Sequence, residues 1–184
     1  MKFLDRWLRE RRIAQARPFI PQGAVLLDIG CGDGSLVRDL GAHVSRAVGI
    51  DPELAEPERG DHYELRRGRF PDDLAPDRRF DVITMLAVLE HLPPEAQAHL
   101  AYEFAALLNP GGRVLITVPS PRVDHILHVL LRLRLIAGIR AHEHYGFKPE
   151  GTPKLFPSSL YRLVKRSRFQ LGLNNLFVFE RTGV

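Results

Sequence analysis

The chain has 184 residues, 45% hydrophobic and 26% charged, which is enough for one globular domain with its own core. A single cysteine excludes an internal disulfide framework and favours a reducing compartment, so we expect a cytoplasmic protein. The net charge of +4 comes from dispersed basic residues, which is typical of a solvated surface, and we do not expect nucleic acid binding. No apolar run is long enough to span a bilayer, and the charged first residues do not resemble a signal peptide.

Residues 3–20 carry apolar side chains at near-helical spacing among charged ones. This pattern predicts an amphipathic helix that ends at Pro18. Two placements stay open for it: across the ligand site described next, or on the edge of the sheet with no ligand contact.

Residues 25–36, VLLDIGCGDGSL, predict a buried strand, a glycine-rich turn and the start of a helix. Asp28 closes the apolar run, and glycines follow it at positions 30, 32 and 34. Glycines allow positive φ and let a ligand lie against the main chain, while the first helical N–H groups favour a negative group. The third glycine comes one residue earlier than the small residue of the dinucleotide fingerprint. Cys31 occupies a place that needs a small side chain, and we do not expect it to be a nucleophile.

The second and third strands are predicted at residues 47–50 and 63–67, and residues 53–61 between them predict a short or irregular helix. The second strand ends at Asp51 and Pro52, roughly 20 residues past the glycines. A carboxylate at this place can accept hydrogen bonds from both hydroxyls of a ribose. Asp51 could also act only as a turn residue, which Pro52 would suit.

The middle of the chain predicts a fourth strand at residues 80–86, a helix at 93–108 and a fifth strand at 113–118. The fourth strand is apolar enough to be central, so its carboxyl end should lie opposite that of the first strand. Glu90 and His91 follow this end directly and are therefore candidate site residues.

The last third of the chain has a different pattern. Residues 123–140 form a wide apolar stripe, which would suit a lid over an apolar substrate, a dimer interface, a membrane-surface helix or a plain cover for the sheet. Residues 142–147 are polar and irregular. We expect a helix at residues 157–169 and a short hairpin within 170–181.

Four segments resemble class I S-adenosylmethionine-dependent methyltransferases: residues 25–36, VGID at 48–51, FDVITMLAVLEHL at 80–92 and LNPGGRVLITVP at 108–119. The resemblance implies an α/β fold with a Rossmann-like, doubly wound sheet of seven strands. It implies the strand order 3-2-1-4-5-7-6, with the last strand antiparallel and helices on both faces. We expect one methyltransferase domain over residues 1–184, divided into an N-terminal helix (1–20), a cofactor-binding core (21–119), a substrate-side helical insertion and loop (120–156), and a C-terminal helix and hairpin (157–184).

The resemblance also implies S-adenosyl-L-methionine as cofactor and a set of residues that contact it. Arg69 departs from the family, which more often has an acid in the turn after the third strand. Its side chain could stack on adenine or point to water. The expected cofactor contacts are Asp28, Gly30, Cys31, Gly32, Asp51, Pro52, Arg69, Phe70, Met85 and Leu86.

The chemistry of a sulfonium methyl group decides which catalytic residues are needed. The methyl is already activated, so the protein mainly aligns it with the acceptor and excludes water. A hydroxyl acceptor needs a base, whereas a thiolate or a neutral amine does not. His91 is the first candidate for that base, and Glu90 and His144 are the other catalytic candidates; His142 and Tyr145 also fall near the expected cleft. Alternatively, Glu90 and His91 only brace the next helix.

Two comparisons within the family narrow the acceptor. Enzymes that methylate exocyclic amines of bases often carry an Asn- or Asp-Pro-Pro-aromatic tetrad where this chain has residues 86–89, LAVL. Small-RNA 2′-O-methyltransferases bind a metal with an E-x-x-E-H cluster. In this chain Ala87 stands at the position of the first acid, so one ligand is missing and we expect no metal. We therefore expect a small-molecule acceptor, with a hydroxyl favoured, and a monomer or homodimer. An RNA or protein methyltransferase, a non-catalytic cofactor-binding partner protein and a nicotinamide enzyme remain alternatives.

Overall fold

The computed structural model describes residues 2–75, 78–120 and 148–183, with side chains from residue 6 onward. Within these ranges four 3-10 turns accompany the helices and strands, and the one that bears on the site is Leu89–His91. The helices are α1 (Lys2–Ala16), α2 (Ser35–Leu40) and α3 (Pro94–Leu107). The strands are β1 (Val25–Ile29), β2 (Arg46–Asp51), β3 (Glu58–Arg59), β4 (Tyr63–Arg67), β5 (Phe80–Leu86), β6 (Leu108–Pro119), β7 (Tyr161–Phe169) and β8 (Asn174–Arg181).

All of these strands form one sheet in the order β3-β4-β2-β1-β5-β6-β8-β7. Strands β4, β2, β1, β5 and β6 are parallel, and β8 enters antiparallel to β6. Without the two-residue β3, this is the predicted order, so the predicted α/β fold and its closing antiparallel strand are confirmed. The strand β3 lies within residues 53–61, for which we expected a short or irregular helix; that prediction is wrong, because Glu58 and Arg59 pair antiparallel with β4.

Helices cover both faces of the sheet, as a doubly wound fold requires. Leu26 of β1 belongs to the apolar cluster formed with α1 and α2, while its neighbour Leu27 belongs to the cluster formed with α3. Both side chains are fully buried. A strand buried on both faces explains why this stretch of the sequence is continuously apolar rather than alternating.

The predicted helix at residues 157–169 is wrong, because Tyr161–Phe169 forms strand β7. Strand β8 is buried along most of its length and needs a hydrogen-bonding partner on the side away from β6. Strand β7 supplies it, pairing antiparallel from Tyr161 opposite Arg181 to Phe169 opposite Asn174. The predicted hairpin within 170–181 is therefore the hairpin of β7 and β8, and only its turn and second strand lie in that range.

The side chain of Tyr161 also ties this hairpin to the rest of the fold. Its hydroxyl donates a hydrogen bond to the carbonyl of Ala101 in α3 at 2.7 Å. The neighbouring ring of Phe156 stacks on Phe179 of β8, with centroids 4.2 Å apart. These long-range contacts outweigh local helix propensity.

The predictions for residues 123–140 and 142–147, including His142, His144 and Tyr145, lie outside the described residues. Within the ranges that the structure describes, no helix is both long and apolar enough to cross a membrane. The predicted domain boundaries stay predictions.

We expect Gly49→Ala to lower the free energy of unfolding by about 1–3 kcal/mol, because a methyl group would overpack the contact of β2 with its neighbours. A Cβ atom at Gly49 would lie 2.6 Å from Leu65 Cδ2 and 2.9 Å from Cys31 Sγ. Gly151→Ala is the control, since within the part of the chain that the structure describes no atom beyond its chain neighbours lies within 4 Å of its added Cβ, and its φ is not positive. Urea unfolding measures both variants; equal stability of the two would contradict the expectation.

Candidate functional site

The loop between β1 and α2 is a tight turn built on three glycines with positive φ. Added Cβ atoms would lie 2.3 Å from Val88 Cγ2 at Gly30 and 2.3 Å from Leu65 Cδ1 at Gly34, so the protein itself fills the space there. At Gly32 no atom of the described residues beyond its chain neighbours lies within 4 Å of an added Cβ. The main chain is therefore open to a ligand at Gly32, in the middle of the loop.

Asp51, the last residue of β2, links this loop to the neighbouring strand. Its Oδ2 accepts a hydrogen bond from the Gly32 N–H at 2.8 Å, and its Oδ1 accepts one from the Glu53 N–H at 2.8 Å. Each carboxylate oxygen can accept more than one hydrogen bond, so both keep capacity for a ligand. Pro52 beside it is exposed. The predicted pair of Gly32 and Asp51 is thus brought into direct contact.

Asp28 lies beneath the loop and is buried, with 3% of its surface exposed. The Thr84 hydroxyl of β5 donates a hydrogen bond to Asp28 Oδ1 at 2.6 Å. Burial raises the pKa of Asp28 to about 7 and the negative charge of Asp51 adds to the rise, while the Thr84 hydrogen bond opposes it. Thr84 was not predicted as a site residue, because nothing in an apolar strand marks one threonine as the partner of a distant acid.

Cys31 lies within the same loop and is also buried. Burial, together with the charges of Asp28 and Asp51, raises the pKa of its thiol to about 12. The side chain is therefore a neutral thiol near pH 7, which fits a space-filling role rather than nucleophilic chemistry.

The turn after β4 contains the predicted residues Arg69 and Phe70. The Arg69 side chain is exposed, and the Phe70 ring packs on Phe104 of α3 with centroids 5.5 Å apart. Asp73, which the sequence reading missed, accepts a hydrogen bond from the Arg69 N–H through Oδ2 at 2.7 Å. An acid therefore does shape this turn, but it lies four residues after Arg69.

The end of β5 differs in part from the expectation. The Met85 side chain is fully buried in the core shared with α3, so only its main chain could face a ligand. Leu86 is half-buried, and Ala87 after it has a positive φ of 60°, a conformation that non-glycine residues rarely adopt. The strand thus ends in an abrupt change of direction beside the glycine loop.

Glu90 and His91 lie in the 3-10 turn that follows, but their side chains are in different environments. Glu90 is buried, with 2% of its surface exposed, whereas His91 is exposed. The turn is braced by Gln97 of α3, whose Nε2 donates to the carbonyl oxygens of Leu89 at 3.2 Å and Leu92 at 2.8 Å. Of the two, only His91 is accessible from solvent.

Helix α1 contacts the outer side of the glycine loop. Arg9 Nη1 lies 2.8 Å from Asp33 Oδ2, and the Gln170 Nε2 in the turn between β7 and β8 donates to the Leu8 carbonyl at 3.3 Å. The ion pair of Arg9 was not predicted, and the two alternatives for this helix, across the ligand site or on the sheet edge without ligand contact, both stay predictions. Among the side chains described, no three from His, Cys, Asp or Glu are grouped so as to hold a metal ion.

Comparison with known proteins now identifies the family. The family model for a methyltransferase domain matches residues 3–171, which is most of the chain. The chain belongs to this methyltransferase family. The resemblance drawn from the sequence motifs is confirmed.

Two relatives and one solved structure illustrate the similarity. A ubiquinone biosynthesis O-methyltransferase from Xanthomonas axonopodis pv. citri (strain 306) is 36% identical over 107 residues, covering 53% of this chain and 44% of the relative. One from Idiomarina loihiensis is 28% identical over 170 residues, covering 84% of this chain and 65% of the relative. The chain thus spans less than two-thirds of the length of each. The N-methyltransferase NodS from Bradyrhizobium japonicum WM9, in complex with S-adenosyl-L-homocysteine, has a TM-score of 0.67 at 18% identity, covering 95% of this chain and 87% of NodS.

The pKa of Asp28 generates a prediction for this methyltransferase domain. In the unfolded chain an aspartate has a pKa of about 3.9, so the folded chain holds the proton to higher pH. The folded state therefore loses stability as pH rises from about 4 to 7, and the loss is complete above that range. Asp28→Asn removes this titration while its side-chain oxygen can still accept from Thr84.

At each pH we compare the free energy of unfolding of Asp28→Asn with that of the wild type. We expect this difference to be about 2–3 kcal/mol more in favour of the variant at pH 8 than at pH 5. Urea unfolding at the two pH values measures the gain. Asp39→Asn, which removes one carboxylate at an exposed position of α2, is the matched control. A gain for Asp28→Asn that is the same at both pH values would mean that Asp28 does not titrate in this range.

Proposed function

We propose that the chain is an S-adenosylmethionine-dependent methyltransferase that transfers the methyl group to a hydroxyl of a small-molecule acceptor. The observation that carries this proposal is the contact between Asp51 and the Gly32 N–H at 2.8 Å. It joins an accessible stretch of glycine main chain to a carboxylate with spare acceptor capacity. Such a pair suits a nucleoside whose ribose hydroxyls donate to the carboxylate while the rest of the molecule lies along the loop.

The residues of the loop and of the neighbouring strand ends fit such a cofactor. We assign the ribose contact to Asp51, with Pro52 beside it, and the main-chain contacts to the segment from Gly30 to Gly32, which includes Cys31. Arg69 and Phe70 would border the base, and the main chain of Met85 and the side chain of Leu86 would border the reacting end. Asp28 would act from beneath the loop through its charge rather than through an exposed side chain.

The electrostatics of the loop fit a cationic cofactor. Burial is the largest cause of the raised pKa of both Asp28 and Cys31, and the negative charge of Asp51 adds to it. Carboxylates at this place stabilise the sulfonium and the ammonium group of S-adenosylmethionine.

Bound S-adenosylmethionine supplies an activated methyl group for in-line displacement. The protein's part is to align the acceptor oxygen, exclude water and remove the hydroxyl proton as the new bond forms. We assign proton removal to His91, because it follows β5 and is exposed, whereas Glu90 is buried. His144 stays a second candidate from the sequence.

The hydroxyl acceptor is supported by the relatives, which are named as O-methyltransferases of ubiquinone biosynthesis. The NodS structure, an N-methyltransferase, is similar in fold only. A screen with methyl-labelled S-adenosylmethionine and a panel of phenols, sugars and amines tests the class. Label in phenol or sugar products supports the proposal, label only in amines overturns the hydroxyl acceptor, and binding without any transfer favours the non-catalytic alternative.

The single cysteine supports a cytoplasmic location, because it fits a reducing compartment.

Asp51→Asn should weaken S-adenosylmethionine binding about tenfold, because the ribose loses a charged acceptor. The amide oxygen can still accept from one main-chain N–H, so we expect the melting temperature to change little. Isothermal titration calorimetry measures the affinity. Glu53→Gln, which changes an exposed acid two residues away, is the control and should bind normally. Unchanged affinity for Asp51→Asn would remove this carboxylate from the site.

His91→Ala should lower turnover of a hydroxyl acceptor by about a hundredfold or more, while the Kd for S-adenosylmethionine changes little, because a base acts only on the chemical step. The acceptor is the best substrate from the labelling screen. His99→Ala, at an exposed position of α3, is the matched control. Normal turnover in the His91 variant, or an equal loss in both, would show that His91 is not the base.

A further inference from the structure

A group of four arginines surrounds one glutamate at the β3 edge of the sheet. Glu64 of β4 is largely buried, with 12% of its side chain exposed. Arg66 lies on the same strand, Arg46 on β2 and Arg59 on β3, and Arg78 precedes β5. We call these five residues the edge cluster. Glu64 pairs with Val48 of β2, three residues before Asp51, so the cluster lies roughly 10 Å along the strand from the cofactor site.

The charges of the edge cluster are not balanced. Arg66 Nη2 lies 2.7 Å from Glu64 Oε1, which forms one ordinary ion pair. The Nη2 atoms of Arg46, Arg59 and Arg78 all lie 3.5–3.6 Å from the other oxygen, Oε2. Any two of these three nitrogens are therefore at most about 7 Å apart, inside the Debye length of about 8 Å at physiological salt. One carboxylate thus faces four guanidinium groups, and the net charge of these five residues is +3.

The hydrogen bonds of the edge cluster are also incomplete. Among the described residues, the buried Nη1 of Arg78 and the buried Oε2 of Glu64 have no hydrogen-bond partner. Glu180 on the far side of the sheet differs: each of its oxygens accepts from one arginine, Arg162 at 2.6 Å and Arg113 at 3.2 Å. An ion-pair network that serves only stability would be expected to resemble that of Glu180, since buried unpaired donors are costly.

We propose that the edge cluster binds a phosphate-type oxyanion that carries at least two negative charges. Guanidinium groups bind such oxygens with paired hydrogen bonds, and several of them converging from different strands suit a tetrahedral group. A dianion would offset most of the excess positive charge, whereas a second carboxylate carries only one negative charge and would not. Arg46 and Arg59, with 55% and 74% of their side chains exposed, give the anion access, and the less exposed Arg66 and Arg78 form the floor.

Inorganic pyrophosphate is the probe for this site, added at constant ionic strength to the wild-type chain and followed by calorimetry and thermal shift. We expect saturable binding that the double variant Arg46→Ala/Arg59→Ala weakens about tenfold or more. Glu64→Gln should tighten binding several-fold, because it removes the competing negative charge. Arg162→Ala, which removes an exposed arginine paired with Glu180, is the matched control and should bind like the wild type.

Absence of pyrophosphate binding to the wild type would overturn the proposal, as would equal losses in the double variant and in Arg162→Ala. Weaker binding by a folded Glu64→Gln would also overturn it; if that variant does not fold, the exposed double variant decides. A ten-nucleotide single-stranded RNA, tested in parallel, distinguishes the two possible sources of the oxyanion. If the RNA binds more tightly than pyrophosphate and its binding depends on Arg46 and Arg59, the site takes a nucleic acid backbone. If the RNA binds more weakly, the site takes a free phosphate compound. Titration with S-adenosylmethionine is independent of these results, because none of the varied residues belongs to the cofactor site.

Discussion

The hydrogen bond from the Gly32 N–H to Asp51 is the interaction on which the site depends. It joins the turn after β1 to the end of β2, and the Gly30 N–H strengthens the same junction by donating to the Ile50 carbonyl at 2.9 Å. Parallel pairing of these two strands places their carboxyl ends side by side. The geometry of the proposed ligand site is therefore a consequence of the sheet, and a glycine keeps the main chain accessible at that point.

The same junction concentrates negative charge beneath the loop. Asp28 is held in a buried position by Thr84, and Asp51 is only a strand away. Burying an acid next to another acid costs stability unless a cation or a proton offsets it. A cationic ligand would offset it, which connects the unusual pKa of Asp28 with the proposed cofactor. The edge cluster has the opposite sign, so one sheet would carry two sites of opposite charge preference.

The sequence predicted the parallel core well because its signals are local. Continuous apolar runs, glycines with positive φ and acids at strand ends each reflect a requirement of the residues themselves. The hairpin of β7 and β8 was predicted wrongly because its cause is not local: Leu160, Leu163 and Val164 have helical spacing, yet Leu163 and Val164 are exposed in a strand that pairs with β8. Thr84, Asp73 and Arg9 were missed for the same reason, since each acquires its role from a partner brought close by the fold.

The central claim is that the glycine turn and Asp51 together bind S-adenosylmethionine. Isothermal titration calorimetry of the wild-type chain with S-adenosylmethionine, S-adenosylhomocysteine and NAD tests it most directly. The account predicts saturable binding of the first two at one site per chain and no binding of NAD. Binding of NAD, or no heat with either adenosyl compound, would contradict it.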